Sequence, residues 1–238
     1  MLAIFKRELR SCFHGMIGAV LTAFMLAATA IYFVALNLGY GLPDFGYYTL
    51  CRTIFVLLLY IPVLTMRSFA EERHSRTDQL LLTSPVSVGG IVLGKYFALC
   101  VIFALPCLVD AGMILVLKAL GATGTSTLAN FSALLCYYLM GCAAIAIGVF
   151  LSSLTESQLI AALGTFAVSF CLIMLDSLSS LFYGNEIINS VVSFLSVTQR
   201  YNDFTSGIIS YDNIIFFLSI QILFIFLTVR VLDRKRWS

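Results

Sequence analysis

Six runs of about twenty mainly apolar residues set the limits on what this chain can fold into. They fall at 16–36, 48–66, 95–117, 128–152, 157–179 and 213–231. About twenty such residues, wound as a helix, cross the roughly 30 Å hydrocarbon core of a bilayer. The runs are continuous and lack the strict alternation of a barrel strand, so helices and not strands would do the crossing. Composition agrees. Apolar residues are 61% of the 238 and charged residues 11%, and the mean hydropathy is +1.01. Soluble domains hold about 45–50% apolar and about 25% charged residues. The sequence therefore argues against a soluble enzyme, a nucleic-acid binder or a disordered tail. A net charge of +2 is too small to imply an anionic partner. With no internal repeat and no low-complexity segment, residues 1–238 read as one all-α membrane domain.

The N-terminus resembles a signal peptide only superficially. Lys6, Arg7 and Arg10 precede an apolar run, and Ala28-Thr29-Ala30 imitates a cleavage site. The run continues past it, well beyond the 7–15 residues of a signal core, so an uncleaved first span is expected. The seven cysteines, Cys12, Cys51, Cys100, Cys107, Cys136, Cys142 and Cys171, are odd in number and form no C-x-x-C. They read as small packing residues, not as a disulfide framework or zinc site.

Charge placement sets the orientation. With the N-terminus inside, one face holds Lys6, Arg7, Arg10, Arg67, Arg73, Arg76, Lys95, Arg230, Arg234, Lys235 and Arg236. The other holds Arg52, Lys118 and Arg200. Excess Lys and Arg mark the cytoplasmic face. An even number of spans also places both termini on one side, so a multi-pass protein of the cytoplasmic membrane with both termini cytoplasmic is expected.

Three stretches outside the spans have their own character. In residues 1–13, Leu2, Phe5, Leu9 and Phe13 share one helical face while Lys6, Arg7, Glu8 and Arg10 occupy the rest. That is the pattern of an amphipathic helix lying in the interface. Residues 67–94 form the one sizeable cytoplasmic loop. Glu72 and Arg76 stand at i, i+4 with the acid first, the favoured order on a helix. Leu80, Leu81 and Leu82 follow, Thr83-Ser84-Pro85 ends the helix, and Ser87 is placed to cap the next one. Residues 180–212, with Ile187, Ile188, Val191, Val192, Phe194 and Leu195, are too apolar for a free loop and too short for a full crossing. A re-entrant or interfacial hairpin before the sixth span is expected.

Few motifs carry chemistry. Gly89, Gly94 and Lys95 fit G-x-x-x-x-G-K, yet Tyr96 replaces the Ser or Thr that would meet Mg²⁺, and no strand precedes the match. Lys95 reads instead as the cytoplasmic end of the third span. His14 and His74 belong to no H-E-x-x-H, and no G-x-S-x-G is present. Catalytic, metal and cofactor residues are therefore not assigned. Asp110 is the one carboxylate deep inside a span, about 22 Å along a helix from Lys95. An intramembrane carboxylate is a functional candidate; a structural hydrogen bond to a neighbouring helix explains it equally well. Asp176 and Arg52 read as interfacial. Gly141, Ala144, Gly148 and Ser152 line one stripe of the fourth span. Such a stripe lets backbones approach closely, either within one bundle or across a dimer.

The stretch Phe69-Ala70-Glu71-Glu72, Thr77-Asp78-Gln79-Leu80-Leu81-Leu82-Thr83-Ser84-Pro85-Val86-Ser87 and Ile91-Val92-Leu93-Gly94-Lys95 resembles the signature region of type-two ABC exporter permeases. The opening Phe5-Lys6-Arg7-Glu8-Leu9-Arg10-Ser11 and the segment Asp203-Phe204-Thr205-Ser206-Gly207-Ile208-Ile209 are similar to the gliding-motility-associated subgroup. The resemblance implies a six-span permease paired with a second permease, identical or not, and with separate ATP-binding subunits that hold ATP and Mg²⁺. It makes 67–94 the coupling helix that docks on the ATPase, 1–13 the connecting helix, and 180–212 the outer hairpin. Phe69, Glu71, Glu72, Arg73, Arg76, Thr77, Leu81, Ser84 and Pro85 would form the ATPase contact. Arg76 departs from the family, which often has Gly there.

Exporter, then, is the leading expectation, with charge pairing at Glu71, Glu72, Arg73 and Arg76 carrying the coupling. An ion- or proton-coupled secondary transporter using Asp110 is the first rival, though paired broken spans and repeats are missing. A membrane scaffold that transports nothing is the second, and an intramembrane enzyme a distant third. Spans lined with Leu, Phe and Ala do not specify a substrate.

Overall fold

The computed structural model describes residues 2–74, 87–121, 127–179 and 196–236. Among these the chain is helical throughout, without a strand. The α-helices are α1 (Leu2–His14), α2 (Met16–Tyr32), α3 (Cys51–Thr65), α4 (Arg67–His74), α5 (Val88–Ala119), α6 (Thr127–Leu154), α7 (Gln158–Ser179), α8 (Val197–Thr205) and α9 (Tyr211–Arg236). Two π-helical stretches, Phe33–Gly39 and Phe45–Leu50, extend α2 and lead into α3. Six helical segments are long and apolar enough to cross a membrane: Gly18–Gly39, Phe45–Arg73, Val88–Ala119, Thr127–Leu154, Gln158–Leu175 and Tyr211–Arg234. They coincide with the six runs read from the sequence.

Their ends differ from the hydropathy boundaries. The second segment continues to Arg73 and the third begins at Val88, not Lys95. The connection expected over 67–94 is thus mostly helix at both margins. Ser87 caps α5 as anticipated: its backbone is extended and its hydroxyl accepts from the Gly90 N–H at 3.3 Å. Lys95 lies about two turns inside α5. An apolarity window stops at a charge, whereas a helix carries on through one that is internally paired.

Helix α6 is the centre of the bundle. It packs against α3, α4, α5, α7, α8 and α9, and 67% of its apolar window is buried. The small-residue stripe makes this possible. A Cβ on Gly141 would collide with the Phe103 ring of α5, and one on Gly148 would meet Thr65 of α3, with its Cβ only 2.8 Å away. Gly141 and Gly148 therefore serve close packing within this chain, and Ala144 lines an apolar crevice together with α3, α7 and α9 residues. The first, fifth and sixth segments lie at the periphery, with only 17%, 17% and 22% of their windows buried.

At one end of the bundle, polar side chains tie the connections to α6. Gly46 N–H donates to Asn130 Oδ1 at 3.0 Å, Tyr201 Oη donates to the Gly46 carbonyl at 2.6 Å, and Ser132 Oγ donates to the Phe204 carbonyl at 2.7 Å. Within the connection expected over 180–212, residues 180–195 lie outside the described residues. The remainder contains α8, which buries Val197, Tyr201 and Phe204 and rests on α6 and α7. Arg200 donates to Asn213 Oδ1 at 2.6 Å and stacks 3.9 Å from the centre of the Phe216 ring, fixing α8 to the start of α9.

Candidate functional site

The opposite end of the bundle holds the densest set of charges. Lys95 is only 2% exposed. A buried ammonium persists only when paired and hydrogen-bonded, and Lys95 meets that condition fully. Its Nζ lies 2.7 Å from Glu72 Oε2 and 3.6 Å from Glu8 Oε1. It donates to the Ser68 carbonyl and sits 4.7 Å from the centre of the Phe69 ring. Arg7 closes the ring of charges, with Nη2 at 2.9 Å from Glu8 Oε1 and 2.8 Å from Glu72 Oε1. Hydrogen bonding to Glu8 raises the Arg7 guanidinium above its ordinary value, with Glu72 adding to the effect and partial burial opposing it. Two cations and two carboxylates thus balance, and they join three helices: α1, α4 and α5.

A second set of contacts joins α4 to α6. Helix α3 gives way to α4 at Met66, four residues after Pro62, and the N–H groups of Phe69 and Ala70 in the first turn of α4 reach an acceptor on another helix. Both donate to Ser152 Oγ at 3.1 Å, and Ser152 donates to the Met66 carbonyl at 3.2 Å. This does the work of an N-cap, supplied from another helix. Arg73 Nη1 donates to the Ser153 carbonyl at 3.1 Å, with Glu156 4.0 Å away.

The expected coupling residues fall into different surroundings. Phe69 is buried, Glu72 turns inward to Lys95 and Arg7, and Arg73 is folded onto the end of α6. All three were expected at the ATPase contact; within this chain they make these contacts. Glu71 is the exposed one, 3.9 Å from Arg67. Arg76, Thr77, Leu81, Ser84 and Pro85 lie outside the described residues. Lys95, expected to mark the cytoplasmic end of the third span, lies inside α5, as do Gly89 and Gly94, which form no phosphate loop. Ser152, expected in a small-residue stripe, acts chiefly as a hydrogen-bonding centre. Arg7, Glu8 and Lys95 were not among the expected site residues. The available signal was a lysine at the edge of a strongly apolar helix, with acids waiting on two amphipathic neighbours.

Beside the charge cluster lies a cleft of about 190 Å³ between α1, the start of α2, the α3–α4 break and α5. Burial raises the Cys12 thiol on its wall above the ordinary value, with nearby Glu8 adding to this and Lys95 and Arg67 opposing it.

Asp110 stands apart from this end. It is fully buried, and neither carboxyl oxygen has a hydrogen-bond partner among the described residues. The hydroxyls of Tyr60 and Tyr137 are in the same condition. The side chain of Asp176 lies outside the described residues.

Residues 25–231 match the family model described as ABC-2 family transporter protein. No curated protein sequence matches the chain significantly.

Proposed function

The chain belongs to the ABC-2 family of transporter proteins, and from that premise we propose that it is the permease subunit of an ATP-driven exporter of the cytoplasmic membrane. It would pair with a second permease and with separate ATP-binding subunits that carry ATP and Mg²⁺. The termini, α1 and α4 would face the cytoplasm. In this reading α1 lies in the interface as the connecting helix. The coupling helix lies between α4 and α5, and the connection before α9 forms an outer re-entrant hairpin. The motif order in the sequence further suggests the gliding-motility-associated subgroup.

The observation that carries the reading is the four-charge cluster of Arg7, Glu8, Glu72 and Lys95. It joins α4 and α5, the two helices that flank the expected coupling segment, to α1. A displacement of that segment by an ATPase dimer would be passed to α1 and α5 through ion pairs, and to α6 through Ser152 and Arg73. The rest of the bundle would follow because α6 touches most of it.

The test is to purify the tagged chain gently from its native membrane, identify what accompanies it, and measure ATP hydrolysis in lipid. A stoichiometric ATP-binding subunit with hydrolysis is expected. A chain that purifies alone and is silent to ATP would overturn the reading and move weight to an ion-coupled transporter built on Asp110. Charge reversal separates the two acids of α4. Glu71→Lys should lower ATPase stimulation while leaving stability unchanged, because Glu71 is exposed. Glu72→Lys should destabilise the chain itself.

A further inference from the structure

We propose that Asp110 is a neutral carboxyl that donates its O–H to Thr29, and that this bond is a catch holding α2, in the first span, against α5. Both side chains are fully buried, and α2 packs on α5. Asp110 lies nine residues before Ala119 and Thr29 ten residues before Gly39, the ends of their spanning segments away from the charge cluster. Both therefore stand at one depth, about 14 and 15 Å from those ends, and Thr29 is the side chain that reaches the carboxyl. Hydrogen-bonding capacity decides which of them carries the hydrogen between them. The Thr29 hydroxyl directs its one hydrogen to its own helix, with Oγ1 3.2 Å from the Met25 carbonyl and 3.1 Å from the Leu26 carbonyl. What it turns to Asp110 is a lone pair. An ionised carboxylate only accepts, whereas a protonated one supplies the missing donor. Tyr137 of α6 repeats the arrangement against Thr53 of α3, whose hydroxyl donates to the Leu50 carbonyl at 2.8 Å. There the phenol O–H is the hydrogen left for the contact. Both pairs stop short of ordinary hydrogen-bond geometry, and the torsion that turns a carboxyl is soft.

The surroundings offer nothing to hold a charge. An isolated carboxylate taken out of water costs far more than a neutral polar group, and among the described residues Asp110 has no ion pair. Of the elements packed on α5, α2 brings Thr29 and α6 brings Tyr137, with Cys107 one turn back on α5 itself. None of these is a cation. Helix α1 lies at the Lys95 end of α5, and the charges of α9 fall at its start, Asp212, and near its other end, Arg230, Asp233 and Arg234. The first span is peripheral, with 17% of its window buried, so one bond between fully buried groups weighs in its seating. Should α2 part from α5, water would reach Asp110, and a hydrated carboxyl at neutral pH gives its proton to water. Separation of the first span and release of one proton are then a single event.

The experiment is infrared difference spectroscopy of the full chain in lipid nanodiscs at neutral pH. Wild type minus Asp110→Asn should show the carbonyl stretch of one protonated carboxyl, lost in the variant. Should Asp110→Asn fail to fold, Asp110→Leu supplies the blank. Thr29→Val should keep the band and move it to higher wavenumber, because the O–H has lost its acceptor. Thr29→Ser, which keeps the hydroxyl, should leave it in place. Absence of a protonated-carboxyl band at neutral pH, or a band that Thr29→Val does not move, would overturn the proposal. The spectrum needs no ATPase, so its outcome and that of the copurification test are independent.

Discussion

Replacing Lys95 by Met tests the charge cluster most directly. The side chains have similar length, so packing changes little. Glu72 and Glu8 would then face each other with only Arg7 between them. Arg7 is a weak substitute, because its side chain is 54% exposed and water screens it. Breaking a buried ion pair by removing one partner costs about 3–5 kcal/mol. The two carboxylates keep 17% and 21% exposure, which lets water in, so a value near about 3 kcal/mol is expected from that range. At about 2–4 °C per kcal/mol for a chain of this size, the midpoint of thermal unfolding should fall by about 6–12 °C. The assay is thermal unfolding of the purified chain in lipid nanodiscs, followed by circular dichroism and by loss of the monodisperse peak. The decisive comparison is a double-mutant cycle with Glu72→Gln. If the pair acts as a unit, Lys95→Met with Glu72→Gln should be more stable than the sum of the single losses allows, by about 1.5–3 kcal/mol, the worth of a charge-assisted hydrogen bond. Losses that simply add within about 0.5 kcal/mol would refute the reasoning.

Three further substitutions follow from the same geometry. Ser152→Ala removes the hydroxyl that accepts from the Phe69 and Ala70 N–H groups, and thermal unfolding should show a loss of about 1–3 kcal/mol. Gly148→Ala drives a methyl into Thr65; the expected loss is about 1–3 kcal/mol of overpacking, and Thr65→Ala should recover part of it in the same assay. Asp110→Leu replaces a buried carboxyl that has no hydrogen bond of ordinary geometry among the described residues by an apolar group of similar shape, which is near neutral or stabilising; a marked fall in the unfolding midpoint would show that Asp110 has a partner in the folded protein.

The spans were legible because each is a single local property: length and apolarity within one run. Ser87 was legible for the same reason, since a cap and its N–H lie three residues apart. The charged end was not. Glu72 offered a local partner, Arg76, at helical spacing, and sequence spacing says nothing of a lysine 23 positions on or of Arg7, 65 positions back. Lys95 was misread because a hydropathy window treats any lysine as a boundary, whereas here two carboxylates let it sit inside the helix. The stripe on α6 was seen, but its partners, Phe103 and Thr65, belong to other helices and appear only once the bundle is assembled. Ser152 was read for its size, and its hydroxyl proved to be what the α3–α4 break requires.

That break also bears on how force would travel. Had α3 and α4 formed one uninterrupted helix, a push on the segment after His74 would run mainly along the second span. The helix instead divides at Met66, and Ser152 stands in the gap, accepting from Phe69 and Ala70 and donating to Met66. On its other side, Glu72 binds α4 to α5 and α1, and Arg73 binds it to the end of α6. Helix α4 is therefore tied across the bundle as well as along its own chain. A displacement of α4 would reach α1 and α5 through Glu72 and α6 through Ser152 and Arg73, and α6 packs on α3, α5, α7, α8 and α9. If the exporter reading holds, Ser152→Ala together with Arg73→Ala should leave a copurifying ATPase bound while lowering its stimulation, and stimulation unchanged in that double variant would refute this route.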